Sequence, residues 1–208
     1  VIVHRCPQGG EDWKRLRLGV VTGSGFDNIL TPATLKPAKS EKYLALLVAE
    51  TLLGKPVDET SSEWTDRGTE MEPRARGWYE VVRDVAVEQV GFIARDDGRV
   101  GCSPDGLVGD DGGLEIKCPA AHTHVGYALN PATLAAAYRG QVQASLYITG
   151  RKWWDLLSYN PEIESVVVRV EPDPAYIAAL VPALDAFLAR IDAAVEQLRP
   201  TLVAPCPL

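Results

Sequence analysis

Leu44, Leu47, Val48, Thr51 and Leu52 recur at the spacing of one helical face, behind Ser40 as a candidate N-cap and ahead of Gly54 as a terminator. The pattern predicts a helix from Ser40 to Leu53. Shorter helices are expected from Glu11 to Arg17 and from Thr22 to Leu30, the second opening on Thr22-Gly23-Ser24. Another is expected from Trp64 to Val82, kinked or starting late because Pro73 lies inside it. The pattern then changes. Val85 to Ala94 is rich in Val and Ile and reads as a strand, followed by short strands at Arg99 to Cys102, Gly106 to Val108 and Leu114 to Cys118. Asp110-Asp111-Gly112-Gly113 reads as the hairpin turn between the last two. Thr133 to Ile148 is expected to be helical. Lys152 to Tyr159 and Ile163 to Val170 read as strands joined at Asn160-Pro161, and Pro174 to Leu198 as a long amphipathic helix with Pro182 early in it. Helices, a meander, a helix, two strands and a helix make an α/β fold, with a central mixed β-sheet flanked by helices. No repeat, low-complexity tract or long linker interrupts this order, so one domain is expected over residues 1–208.

Composition narrows the classes. Apolar residues at 46% and charged residues at 24% of 208 are an ordinary globular balance that supports a sizeable core. No apolar run reaches the ~18 residues of a membrane span. The first residues, Val1 to Cys6, do not read as a signal peptide, and the cytoplasm is the expected compartment. Cys6, Cys102, Cys118 and Cys206 include no CxxC pair, which argues against a zinc or iron–sulfur site and favours reduced thiols, with Cys102 and Cys118 packed in strands. His122-Thr123-His124 would share a face on a strand, but it follows Pro119 in an expected loop without a third ligand, so phosphate or solvent contact is the expectation there. The net charge of −7 argues against a simple nucleic-acid coating protein. It does not exclude an enzyme with local positive charge in a groove and a bound divalent cation.

The chemistry concentrates in Cys102-Ser103-Pro104-Asp105-Gly106 and Gly113-Leu114-Glu115-Ile116-Lys117-Cys118-Pro119. A hairpin between them sets Asp105 and Glu115 near one point, and two carboxylates suit a hard cation such as Mg²⁺. Glu115 and Lys117 alternate with Ile116 along a strand, so both side chains emerge on one face. The backbone carbonyl of Ile116 is a further candidate ligand. Taken singly these residues are ordinary: Asp105-Gly106 is a common turn, and Glu115 and Lys117 a common solvated strand face. Together they form the set that phosphodiester cleavage requires. A metal activates water and offsets transition-state charge, and a lysine orients or deprotonates the water or stabilises the developing charge.

These stretches resemble the lambda exonuclease and YqaJ-like viral recombinase family of PD-(D/E)XK nucleases. The resemblance runs through Trp13 to Ser24, Gly68 to Arg76, the two stretches above, Tyr138 to Gln143, and Asp155 to Pro161. It implies a Mg²⁺-dependent 5′→3′ exodeoxyribonuclease, with Mn²⁺ as a substitute, acting on linear double-stranded DNA with a 5′-phosphorylated end. It implies direct metal ligation by Asp105 and Glu115, and catalysis by Lys117. Glu72 is implied as a helix glutamate reaching the metal through water, and Gln141 as a residue that positions the lysine or the water. Glu70 is a rival for Glu72; the family's Gly-x-x-x-Glu-x-x-Ala-Arg pattern favours Glu72 through Gly68, Ala75 and Arg76. Arg17 and Ser24 are implied as the 5′-phosphate pair, with the turn at Thr22-Gly23-Ser24 opening a helix whose N–H groups favour an anion. A ring-shaped homotrimer, a single-strand annealing partner and a phage or prophage setting in a bacterial cytoplasm follow from the same resemblance.

Two departures stand out. Pro73 directly after Glu72 biases that residue away from helical geometry. The segment at Trp64 and Thr65 does not match the family's apolar strand-separating wedge, although Trp64 could stack on a base. An endonuclease of the same fold, restriction or junction-cleaving, is the alternative, and a non-catalytic DNA-binding module is a third.

Overall fold

The computed structural model describes residues 1–57 and 63–199, the side chains of residues 63–69 excepted. Strand β1 (Ile2–His4) leads into helix α1 (Glu11–Arg17) and strand β2 (Val21–Thr22). A 3-10 helix (Gly23–Asn28) follows, then the short pair β3 (Leu30–Thr31) and β4 (Lys36–Pro37), helix α2 (Glu41–Leu53) and helix α3 (Glu63–Arg83). The meander comprises β5 (Val87–Glu88), β6 (Phe92–Ala94), β7 (Val100–Cys102), β8 (Gly106–Val108) and β9 (Gly112–Lys117). Helices α4 (Ala121–Leu129), α5 (Pro131–Ala137) and α6 (Arg139–Thr149), strands β10 (Trp153–Ser158) and β11 (Val166–Val170), and helix α7 (Pro174–Leu198) complete the chain.

The strands form a mixed five-stranded sheet ordered β11-β10-β9-β8-β5 and a four-stranded sheet ordered β1-β6-β7-β2. Only β9 and β10 run parallel in the larger sheet, joined by the crossover through α4, α5 and α6. The core fills the space between the sheets and α2, α6 and α7, and is built on Phe26, Leu134, Trp154, Tyr176 and Leu180 among others. The mixed sheet flanked by helices is the fold class the element order predicts. No helix among the described residues is long and apolar enough to cross a membrane.

Several local expectations give way to tertiary packing. Val85 to Ala94 is two strands, with β5 paired to β8 in one sheet and β6 to β1 and β7 in the other. Gly91 lies between them against Cys6, where a Cβ would come within 2.3 Å of the Cys6 carbonyl oxygen. Gly112 and Gly113 belong to β9 and not to the turn, which is Gly109 to Asp111. Their missing side chains make room for the indoles of Trp153 and Trp154 on β10. Helix α3 is helical on both sides of Pro73 and begins ten residues before it, so Glu72 is helical despite its proline neighbour. The segment expected as one helix from Thr133 divides at Tyr138. Of the segment Thr22 to Leu30 only Gly23–Asn28 is helical, a 3-10 helix of 6 residues with Thr22 in the N-cap position, while Thr22 itself ends β2 and Leu30 opens β3. Ser40 precedes α2 as expected, but its hydroxyl accepts from Arg190 NH1 at 2.8 Å and does not cap the helix.

Candidate active site

The hairpin β8–β9 builds the centre of the site. Its ladder pairs Gly106 with Leu114, Leu107 with Gly113 and Val108 with Gly112. Beyond Leu114, no strand among the described residues pairs with β9 on that side, and Asp105 takes over: its N–H donates to the Leu114 carbonyl at 3.2 Å, and its carboxylate accepts from the Ile116 N–H at 2.5 Å. The ladder's alternation turns the Ile116 carbonyl to the same side. On the opposite edge β9 pairs with β10 through Lys117, which fixes the strand's orientation.

Glu115 is 4% exposed. Its Oε1 accepts from Lys117 Nζ at 2.7 Å and from Gln141 Nε2 at 2.5 Å, and Lys117 Nζ also donates to Gln141 Oε1 at 3.3 Å. Glu115, Lys117 and Gln141 therefore close a triangle across β9 and α6. Lys117 Nζ also stands 4.6 Å above the Tyr138 ring, at the break that starts α6. Burial alone would lower the Lys117 pKa, but the carboxylates of Glu115 and Asp105 outweigh it and hold the ammonium above its ordinary range. The Asp105 pKa is raised as well, which for a carboxyl disfavours the charged form: burial, then Glu115, then Glu72 push it well above the ordinary value. Lys117 is thus a cation at neutral pH, and Asp105 is destabilised as an anion.

Glu72 comes from α3. It lies beside Asp105 on a cleft of about 630 Å³, whereas Glu70 is exposed. The Glu72 carboxylate is engaged by Arg76 NH2 one helical turn on, and Arg76 Nε donates to the Asp105 main-chain carbonyl at 3.1 Å. Burial raises the Glu72 pKa, and Arg76 opposes that shift. Among the described residues, no three His, Cys, Asp or Glu side chains are gathered around one point in a metal-holding group. The donor set nevertheless fits a hard cation. Asp105 and Glu115 repel each other, the Ile116 carbonyl faces the same side as Asp105, and all three offer oxygen.

Arg17 lies at the second focus. Its NH1 donates to Ser103 Oγ at 3.0 Å and its NH2 to Thr22 Oγ1 at 3.3 Å, while Trp13 stacks on the guanidinium at 4.3 Å. Trp13 Nε1 also donates to Ser103 Oγ at 2.9 Å. Burial lowers the Arg17 pKa, and it remains a cation across the working range of proteins. Arg17, Ser24 and Thr22 line one cleft of about 420 Å³, with Ser24 exposed. Ser103 is two positions before Asp105, and a Cβ on Gly23 would lie 3.6 Å from Gln141 Cγ. The two foci therefore share their walls.

Ser103, Arg76, Tyr138 and Trp13 were not singled out from the sequence as site residues. Each lies inside one of the stretches that carry the family resemblance, and Arg76 closes its Gly-x-x-x-Glu-x-x-Ala-Arg pattern, which was the signal available. The histidine pair resolves differently from its expectation. His122 and His124 lie on α4, not in a loop, and i,i+2 spacing on a helix parts their side chains. His124 is fully buried between Ser158 Oγ at 2.7 Å and the Glu164 carbonyl at 3.0 Å, a structural tie rather than a phosphate or solvent contact. Asp155 is likewise structural: buried on β10, it accepts from Tyr79 at 2.7 Å and from two nitrogens of Arg169 at 2.8 and 2.9 Å, which ties α3 to the sheet. Cys102 is buried in β7, where burial pushes its thiol pKa up to about 12, and Cys118 is half-buried just past β9. Trp64 and Thr65 have side chains outside the described residues, as does the whole of Cys206.

Residues 12–152 match the model of the YqaJ-like viral recombinase domain. The structure is similar to that of LHK-Exo in complex with dAMP, at 36% identity and a TM-score of 0.83, over 93% of this chain and 98% of that one. A second structure of LHK-Exo, an alkaline exonuclease from Laribacter hongkongensis, is 35% identical with a TM-score of 0.82 and the same coverage. A phage related exonuclease from Haemophilus somnus 129PT is similar in fold, with a TM-score of 0.61 at 15% identity, over 95% of this chain and 96% of that one. No curated protein sequence matches the chain.

Proposed function

The chain belongs to the YqaJ-like viral recombinase family, and from that premise we propose that it is a Mg²⁺-dependent 5′→3′ exodeoxyribonuclease. It degrades one strand of linear double-stranded DNA from a 5′-phosphorylated end and exposes a 3′ single strand for phage-type recombination. The similarity to LHK-Exo, an alkaline exonuclease, over nearly the whole of both chains supports the exonuclease assignment. The observation that carries the reading is one of adjacency: Arg17 is bonded to Ser103, two positions from Asp105 in the metal-suited hairpin. An enzyme that recognises a strand end needs an anion pocket next to its cleavage centre, and an endonuclease does not.

In this reading Asp105, Glu115 and the Ile116 carbonyl would hold Mg²⁺ or Mn²⁺, with Glu72 reaching it indirectly. When bound, the cation supplies a Lewis acid that lowers the pKa of water and offsets negative charge on the phosphoryl oxygens. The remaining parts belong to the chain. Gln141 and Glu115 hold the Lys117 ammonium from two sides, so it faces the reacting phosphate as a fixed positive charge. Held between these two side chains, the ammonium is placed to stabilise charge and to orient water. Arg17 and Ser24 grip the terminal phosphate and set how far the strand enters. The whole chain acts as one nuclease domain. A ring-shaped homotrimer would keep the enzyme on its DNA between cuts, and a single-strand annealing protein would take up the product strand.

The test is incubation with Mg²⁺ and either linear duplex or covalently closed circle. Digestion of the linear DNA alone is the expected result. Nicking or linearisation of the circle would mark an endonuclease of the same fold, and cleavage of neither would leave only a DNA-binding module.

A further inference from the structure

The Arg76 side chain has no part in the reading above, yet it is hydrogen-bonded to two residues of the site. It is 7% exposed. It engages Glu72 through NH2 and the Asp105 carbonyl through Nε at 3.1 Å. With the Gln89 amide turned so that its oxygen faces the guanidinium, Gln89 accepts from the same NH2 at 3.0 Å. One planar fork thus joins α3, the residue that opens β8, and the segment between β5 and β6. The carboxylate it holds is a candidate contributor to the metal site, and in this arrangement that carboxylate is committed to a protein cation. Glu115 is matched in the same way by Lys117. The two pairs differ in that Lys117 has a place in the proposed chemistry and Arg76 has none.

We propose that Arg76 is a positioning residue that competes with the metal ion for Glu72, and so sets the divalent-ion concentration at which the site fills. The inference rests on the metal-site reading given above. Its basis is geometric. At i,i+4 on one helical face, Arg76 and Glu72 meet without displacing the backbone. The anchor on the Asp105 carbonyl keeps the guanidinium in place whether or not Glu72 is bound to it. A carboxylate leaving Arg76 for the water on a bound cation exchanges one charge-assisted contact for another, so the exchange is driven by the cation's concentration.

The test measures Mn²⁺ binding to the DNA-free full chain by the electron paramagnetic resonance signal of the free ion, which is independent of turnover. Wild type, Arg76→Met, Glu72→Gln and the double variant form a cycle. Arg76→Met should bind Mn²⁺ about tenfold more tightly than wild type, a factor in keeping with release of one charge-assisted contact. Glu72→Gln should remove that gain in the double variant. Arg76→Lys, which retains a cation beside Glu72, should stay near wild type. Arg76→Gln retains a donor for the Asp105 carbonyl without the charge, and it should show the same gain if Arg76→Met does not fold. Unchanged or weaker binding in folded Arg76→Gln, or a gain that survives Glu72→Gln, would overturn the proposal. Asp105→Asn separates the two levels. If wild type shows no binding that Asp105→Asn abolishes, the metal-site reading fails and takes this inference with it. If that binding is present and the Arg76 variants do not alter it, only this inference fails.

Discussion

Replacing Arg17 with alanine probes strand-end recognition most directly. The guanidinium is held before any ligand arrives: Ser103 at 3.0 Å, Thr22 at 3.3 Å and the Trp13 face at 4.3 Å fix its plane. Little side-chain entropy is left to lose on binding, so most of the contact energy is realised. A charge-assisted hydrogen bond of this kind contributes about 1.5–3 kcal/mol. At ~1.4 kcal/mol per factor of ten, this is roughly a tenfold to hundredfold effect. It should fall on the terminal group, because a phosphate monoester carries about −1.5 to −2 charges at neutral pH and an internal diester only one. The assay compares single-turnover digestion of 5′-phosphoryl and 5′-hydroxyl linear duplexes by wild type, Arg17→Ala and Arg17→Lys, with melting curves to confirm folding. Wild type should prefer the phosphorylated end, Arg17→Ala should lose most of the preference, and Arg17→Lys should recover part of it, since an ammonium restores charge but not the fork. Ser103→Ala should give a smaller loss in the same direction, because Arg17 would lose one of its restraints. Equal rates on the two ends for wild type would refute the phosphate pocket. A full preference surviving in folded Arg17→Ala would refute Arg17 as its source.

Lys117→Ala should reduce single-turnover cleavage by at least about a hundredfold while DNA affinity stays close to wild type; an unchanged rate on bound DNA would remove Lys117 from the chemistry. The raised Asp105 pKa carries a sign for stability. The folded state holds that proton more tightly than the unfolded chain, so in metal-free buffer stability falls as pH climbs from the ordinary carboxylate value through the raised one. Asp105→Asn, which cannot ionise, should therefore melt a few degrees higher than wild type in metal-free buffer at mildly alkaline pH, a gain of about 1 kcal/mol. It should also lose the rise in melting temperature that Mg²⁺ gives wild type, and a lower melting temperature without metal would contradict the argument. Gly113→Ala places a Cβ 2.2 Å from Trp154 Cε3, on a side chain that is fully buried. Overpacking of this kind costs about 1–3 kcal/mol in denaturant melts, and an unchanged midpoint would mean that the β9–β10 contact relaxes freely.

Features whose causes lie within a few residues were legible in the sequence. Helix α2 with its Gly54 stop, and α7 between Pro174 and Leu198, follow from apolar spacing and, for α2, from the terminating glycine. The Asp105, Glu115 and Lys117 set was legible for the same reason: a short hairpin and strand alternation bring those side chains to one place, whatever the rest of the chain does. Other features depend on partners far along the chain. Arg17 meets Ser103 across 86 positions, and Val85 to Ala94 divides because two sheets compete for it. Gly112 and Gly113 read as turn residues until the indoles of Trp153 and Trp154 occupy the space above them. His124 reads as a ligand or solvent contact until α4 buries it against Ser158. Glu72 sits intermediate between the two cases. Its place on the helix was readable from its motif, but its engagement by Arg76, and through Arg76 with the Asp105 backbone, required α3 to pack beside the hairpin. Local propensity and spacing act over a turn of helix or a pair of strands, whereas burial, close approach and charge pairing are settled only when distant segments share a surface.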